Sequence, residues 1–290
     1  MPDTTRRHPF RHSGQDREAA HKYPDTPQTR SPSYRLAYDD LDFMLRDEMR
    51  AMRLQLEFLK PDLVMQEQGI ESTVVLFGGA RVPRPEDKHK APPGLAALSH
   101  YYEEARRFAE LITKKAENNG HHRKVIVSGG GPGVMEAASR GAADAGGKCV
   151  GLNIVLPHEQ APNPWITPEL SFNFHYFAIR KMHFLMRAEA LVVFPGGFGT
   201  LDETFECLTL IQTKRMKPVP VLLFGREFWE KIINWEALAD AGTIAREDLD
   251  LFQFVETAEE AVAAFEAWEK EHPNGNGNGN GNGGGTGWLR

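Results

Sequence analysis

From Ser72 onward, short β-branched apolar runs alternate with longer stretches whose apolar residues recur every three or four positions. The runs are Val74–Phe77, Val125–Ser128, Cys149–Leu156, Leu191–Phe194 and Val219–Phe224. Their continuous apolar character predicts strands covered on both faces. Helical periodicity lies between them, at Leu95–Ala116, Val134–Ala145, Ile179–Ala190, Leu201–Thr213 and Phe228–Ala241. A last helix is predicted from near Thr257 to just before Pro273, and Ser171–Phe177 reads as a further extended piece. Strand followed by helix, repeated, requires parallel strands joined by crossovers. The fold class is therefore α/β, a doubly wound parallel sheet with helices on both faces.

Ahead of this domain, Leu45, Met49, Met52, Leu56 and Leu59 follow 4-3-4-3 spacing, one stripe of a helix. Pro61 is expected to end or kink it. The stripe is expected to pack back on the core for most of its length, with a subunit contact as the other use. Residues 1–34 are polar and rich in Arg, His, Pro, Ser and Thr, and are expected to be a disordered arm. Through Arg35 that arm carries seven basic residues against four acidic ones, a surplus that suits a solvated arm better than an anion-binding one. Residues 272–290 form a Gly/Asn-rich tail, also expected to be disordered. The expected organisation is thus arm 1–34, helical segment 35–70, Rossmann-like domain 71–271 and tail 272–290.

Composition narrows the function. A net charge of −6 argues against nucleic acid as a partner. No run of about 18 apolar residues exists to span a membrane, and the N-terminus lacks the apolar core of a secretory signal. Cys149 and Cys207 are the only cysteines, too few for a disulfide framework or a zinc spacing. They are expected to be buried apolar residues, and the chain is expected to be cytoplasmic. His121 and His122 are adjacent, and His158, His175 and His183 share no ligand spacing, so no metal site is expected.

Three glycine-rich turns follow predicted strands: "FGGAR" at 77–81, "SGGGPGVME" at 128–136 and "FPGGFGTLDETFE" at 194–206. All belong at the carboxyl edge of one sheet, where ligands of such folds sit. Glycine admits close approach to backbone N–H groups, and a helix start favours negative charge, so phosphate is the natural guest. "GGGPGV" is not the G-x-G-x-x-G of dinucleotide sites, and the third loop lacks the Lys-Ser/Thr ending of a triphosphate loop. Thr200 and Glu203 have capping-box spacing, as do Thr257 and Glu260. The second pair reads as a cap only. Glu203 has a second reading, because its helix start adjoins a phosphate cradle: an ionised carboxylate that acts as a base or stabilises a cation. Arg180 and Lys181, at the start of the preceding helix, are candidate anion-binding cations.

The combination of "PGGFGTLDE" (195–203), "GGGPGVMEAA" and "IRK" resembles the Lonely Guy (LOG) family, once labelled lysine decarboxylases, over roughly residues 72–265. The match looks closer to its longer bacterial members. The resemblance implies a phosphoribohydrolase. It would split a purine nucleoside 5′-monophosphate, AMP or a cytokinin riboside monophosphate, into free base and ribose 5-phosphate. It implies Glu203 as the catalytic carboxylate with Arg180 as its partner. Gly196, Gly197, Gly199 and Thr200 would hold the phosphate with Lys181 nearby, and Gly130 and Gly131 would belong to the substrate site. Glu159 and Thr209 would line the nucleotide pocket. No cofactor is implied, and a homo-oligomer is. Phe198, where plant-type members have Tyr, and the N-terminal helical segment depart from the family pattern.

Chemically, glycosidic cleavage builds positive charge on the ribose, which a carboxylate stabilises while activating water. Two other readings compete. Amino-acid decarboxylation would need pyridoxal phosphate on a lysine, and Lys181 is the one lysine that falls near the site. A non-catalytic nucleotide sensor or carrier on the same fold is the alternative to the enzyme.

Overall fold

This computed structural model describes residues 12–20, 22–117, 120, 122–157 and 161–273. The arm's first eleven residues, the tail from 274, His121, His158 and Glu159 lie outside the described residues.

By internal contacts the chain divides into two units, 1–56 and 57–290. The first holds α1 (Ser13–Ala20), with no buried residue, α2 (Leu41–Met44), and the opening turns of α3 (Arg50–Glu67). Asp40 caps α2 by accepting the N–H groups of Asp42 and Phe43. Pro61 neither ends α3 nor leaves it at the surface: the helix runs on to Glu67, with Pro61 and Met65 its buried residues. Leu45, Met52, Leu56 and Leu59 of the apolar stripe are exposed.

In the second unit, seven parallel strands form one sheet in the order β4-β3-β2-β1-β5-β6-β7. They are β1 (Thr73–Phe77), β2 (Val125–Ser128), β3 (Cys149–Ile154), β4 (Ser171–Phe174), β5 (Ala188–Val193), β6 (Val221–Phe224) and β7 (Gln253–Val255). Their side chains alternate between two cores. Val74, Leu76, Ile126, Val192 and Phe224 pack under α5 (His100–Ala116), α6 (Val134–Asp144) and α11 (Ala258–Glu271). Val75, Phe77, Val127, Val193 and Leu223 pack under the end of α3, α7 (Phe177–Leu185), α8 (Phe198–Gln212) and α9 (Arg226–Ile232). α4 (Pro93–Ala96) precedes α5, and α10 (Trp235–Asp240) follows α9.

The periodicity places most elements within a few residues, and the departures have local causes. The helix expected to reach Ala190 stops at Leu185, since Ala188–Ala190 open β5, which pairs with β1 in the middle of the sheet. There Glu189 is buried and accepts a hydrogen bond from Arg123 at 3.2 Å. The predicted 228–241 helix is two, because the Asn234 side chain accepts the Ala237 N–H and starts α10 afresh.

Candidate active site

β1 has β2 on one side and β5 on the other, and the two halves of the sheet diverge from this point. Such a switch point opens a crevice at the carboxyl ends of the strands. A cleft of about 520 Å³ lies there, lined by all three glycine loops: Gly78 to Val82, Gly129, and Pro195 to Gly197. The first loop is pinned on both sides. The Gly79 N–H donates to Pro195 O at 3.0 Å, and Gly79 O accepts the Val134 N–H at 3.2 Å.

α8 begins at Phe198, three residues earlier than its apolar pattern suggests. Its N-cap is Gly197, with φ −98° and ψ −155°, and no side chain caps it. Thr200 is therefore inside the helix, and the capping-box reading of Thr200 and Glu203 fails. The later copy of the pattern is a true cap: Thr257 Oγ1 accepts the Glu260 N–H at 3.2 Å. The first-turn N–H groups of α8 thus lack a side-chain acceptor and open beside the cleft. A Cβ on Gly197 or Gly199 would meet nothing within 4 Å. Their missing side chains leave space rather than relieve a clash. At Gly196, by contrast, a Cβ would fall 2.1 Å from Thr200 Oγ1.

The buried stripe of α8 is Thr200, Glu203, Thr204, Cys207, Leu208 and Ile211, so a carboxylate occupies a core-facing position. Glu203 is 8% exposed, and its opening is the cleft. Burial pushes its pKa up to about 7; the Lys181 and Arg180 charges pull it down, and Glu206 and Asp202 push it up. This differs from the expectation of a fully ionised group. Glu203 is the sixth residue of α8, beyond the first turn where the helix dipole acts, and loss of water dominates.

Arg180 lines the same cleft. Its Nε donates to Leu152 O at 2.7 Å, and its guanidinium stands 5.2 Å from the Phe184 ring centroid. The helix that carries it is fixed from α3: Glu57 accepts the N–H groups of His175 at 2.8 Å and Tyr176 at 3.0 Å. Lys181 does not line the cleft. It is 16% exposed and ion-paired with Asp202 at 2.9 Å and Glu206 at 3.0 Å. Burial works against its ammonium, but these two carboxylates outweigh burial and its pKa rises.

The structure therefore brings Glu203, Arg180, Gly196, Gly197, Gly199 and Thr200 together. Gly130 and Gly131 sit behind the wall, their carbonyls accepting the Asn163 side-chain N–H groups at 3.1 Å each. At Gly130, φ is +78°, and a Cβ would overlap the Asn153 side chain. Thr209 is on the exposed side of α8, its hydroxyl donating to Phe205 O at 2.7 Å. Phe198 is 92% exposed. Several lining residues carry no site role in the sequence: Arg81, Leu95, Leu98, Phe177 and Phe228. Arg81 had a signal, since it directly follows the first glycine loop. Leu95, Phe177 and Phe228 sit in helices whose periodicity speaks only of burial, and Leu98 in the turn after α4.

Among the described residues, no group of three or more His, Cys, Asp or Glu side chains could hold a metal ion. Cys149 and Cys207 are free and buried, and burial raises both thiols to about 12. No described helix is long and apolar enough to cross a membrane.

Comparison with solved structures finds similar chains at low identity. A molybdenum cofactor binding protein from Rippkaea orientalis is 18% identical, covering 68% of this chain and 97% of that one, with a TM-score of 0.45. The molybdenum cofactor carrier protein of Chlamydomonas reinhardtii is 19% identical over 68% of this chain and 97% of that one, TM-score 0.42. The structural-genomics target TM1055 is 23% identical over 68% and 99%, TM-score 0.46. No curated protein matches the chain significantly. Residues 135–265 match the family model described as "Possible lysine decarboxylase". That segment carries Arg180, the glycine turn before α8 and Glu203.

Proposed function

We propose that this chain is a hydrolase of the phosphoribohydrolase type, cleaving the N-glycosidic bond of a purine nucleoside 5′-monophosphate to free base and ribose 5-phosphate. One observation carries the reading: Glu203, a buried carboxylate, opens into the same cleft as the uncapped start of α8 and Arg180. The helix start suits the phosphate, because its N–H groups and partial positive charge favour an anion. The bound phosphate then fixes the ribose, so that binding energy away from the reacting bond positions the anomeric carbon.

Ionised Glu203 stabilises the oxocarbenium-like cation as the bond to the base breaks. It also accepts a proton from the water that attacks that carbon. With its pKa near 7, about half of the sites hold the active form at neutral pH, and the group returns its proton readily. Arg180 and Lys181 support the ionised form.

A lysine-based decarboxylase fits less well, since no lysine lines the cleft among the described residues and Lys181 is held by two carboxylates. The test is incubation with a panel of nucleoside monophosphates, following free base and ribose 5-phosphate by chromatography. Release by the native chain and its loss in Glu203→Gln, with nucleotide binding kept, are expected. Binding without release would turn the reading to a carrier or sensor.

A further inference from the structure

Four cations stand in or beside the cleft, and three are engaged. The Arg180 Nε is bonded to Leu152 O, Lys181 holds Asp202 and Glu206, and Arg84 holds the buried Glu136. Arg81 is different. It lines the cleft, it is exposed, and among the described residues its guanidinium has no hydrogen-bond or ion-pair partner.

Its backbone is nonetheless fixed. Two residues earlier, Gly79 is tied to the loop before α8 through Pro195 O and to the first residue of α6 through the Val134 N–H. Val82, directly after it, donates its N–H to Gly79 O at 3.3 Å. A pinned backbone with an unengaged guanidinium at the mouth, beside the uncapped α8, is an arrangement suited to a dianion. The cleft's own carboxylates, Asp202 and Glu203, would otherwise repel such a ligand.

We propose that Arg81 is the side chain that grips the substrate's 5′-phosphate, and that Lys181, which the family pattern places near the phosphate, instead serves the carboxylates around Glu203. This rests on the hydrolase reading for its substrate, though binding alone decides it. A planar guanidinium binds two phosphate oxygens at once, which an ammonium does not. Loss of a charge-assisted contact of this kind weakens binding by about tenfold to a hundredfold.

The experiment is calorimetric titration of AMP and of adenosine into the full chain carrying Glu203→Gln, so that nothing is consumed. It is then repeated with Arg81→Gln or Lys181→Gln added. Arg81→Gln should weaken AMP by about tenfold to a hundredfold and leave adenosine unchanged, and Arg81→Lys should recover part of the loss. Lys181→Gln should keep the AMP-to-adenosine ratio. AMP binding undiminished by Arg81→Gln but lost with Lys181→Gln would overturn the assignment, as would equal weakening of AMP and adenosine. A native chain that binds AMP without releasing base would end the hydrolase reading, while the two ratios would still decide the role of Arg81.

Discussion

Replacing Glu203 by Gln should stabilise the protein while destroying its activity, and the stabilisation should depend on pH. Burial raises this carboxyl from 4.5 to about 7. At about 1.4 kcal/mol per pH unit, the folded state carries about 3 kcal/mol of strain against the ionised form. Below the unfolded value of 4.5 both states hold the proton and the cost vanishes. As pH rises from there toward 7, the unfolded chain has lost its proton and the folded chain keeps it, so stability falls. Above about 7 the whole cost stands. Glutamine has the same shape and never ionises, so its advantage over Glu should grow from near zero at about pH 4 to about 2–3 kcal/mol at about pH 8, allowing for an imperfectly bonded amide. Thermal melts across this range should show the variant ahead by roughly 4–10 °C at the alkaline end. Turnover should fall at least about a hundredfold. A constant gap between the two proteins at all pH values, or a variant less stable at pH 8, would show that Glu203 is not the strained, desolvated carboxylate described here.

Two further outcomes follow from the wall behind the site. Glu57→Ala leaves the N–H groups of His175 and Tyr176 without their acceptor and loosens the start of α7; turnover should drop and its pH inflection should move above that of the native chain, because Arg180 no longer holds the Glu203 pKa down, whereas an unchanged inflection would limit Glu57 to stability. His183 is 3% exposed, between Phe58 and Phe174, with neither ring nitrogen bonded among the described residues. Burial and then the nearby Arg187 push its pKa below 6.5, against the opposing pulls of the Glu57 backbone and the Asp62 charge. The unfolded chain therefore takes up the proton first, and stability present above pH 6.5 is lost as pH falls. Melts of His183→Phe should lose part of that acid slope, and an identical slope would refute the assignment.

The sheet was legible because its central strands are apolar on both faces, and that pattern needs no partner to be recognised. β7 was not: Gln253–Val255 is three residues with one buried side chain. The glycine loops were legible as a group, yet the role of Thr200 was not. Thr-x-x-Glu reads the same at 200–203 and 257–260, and only the helix start distinguishes a cap from an interior turn. That start is set at Phe198 by packing of the buried stripe, which lets three residues of the glycine-rich turn join the helix. The charge state of Glu203 was misread for the same reason, since its distance from the helix start and its burial are tertiary facts. Lys181 reads from the sequence as an anion-binding cation, and Arg81 carries no site role there. That ordering changes only when Asp202 and Glu206 are seen to meet Lys181.

The family-model match begins at residue 135, so it contains Arg180 and Glu203 but none of β1, β2 or the first glycine loop. Those outside elements also line the cleft, with Arg81 and Val82 from the loop after β1, Leu95 from α4 and Leu98 just beyond it. A carboxylate and an arginine on one wall can break a bond without deciding which nucleotide presents it. Under the hydrolase reading, shape and charge along residues 78–98 make that choice. Exchanging this stretch with that of a phosphoribohydrolase of known preference should carry the preference across while leaving the Glu203 pH inflection near 7. An inflection kept near 7 with no transfer of the preference would place the selecting contacts on α7 and α8 instead.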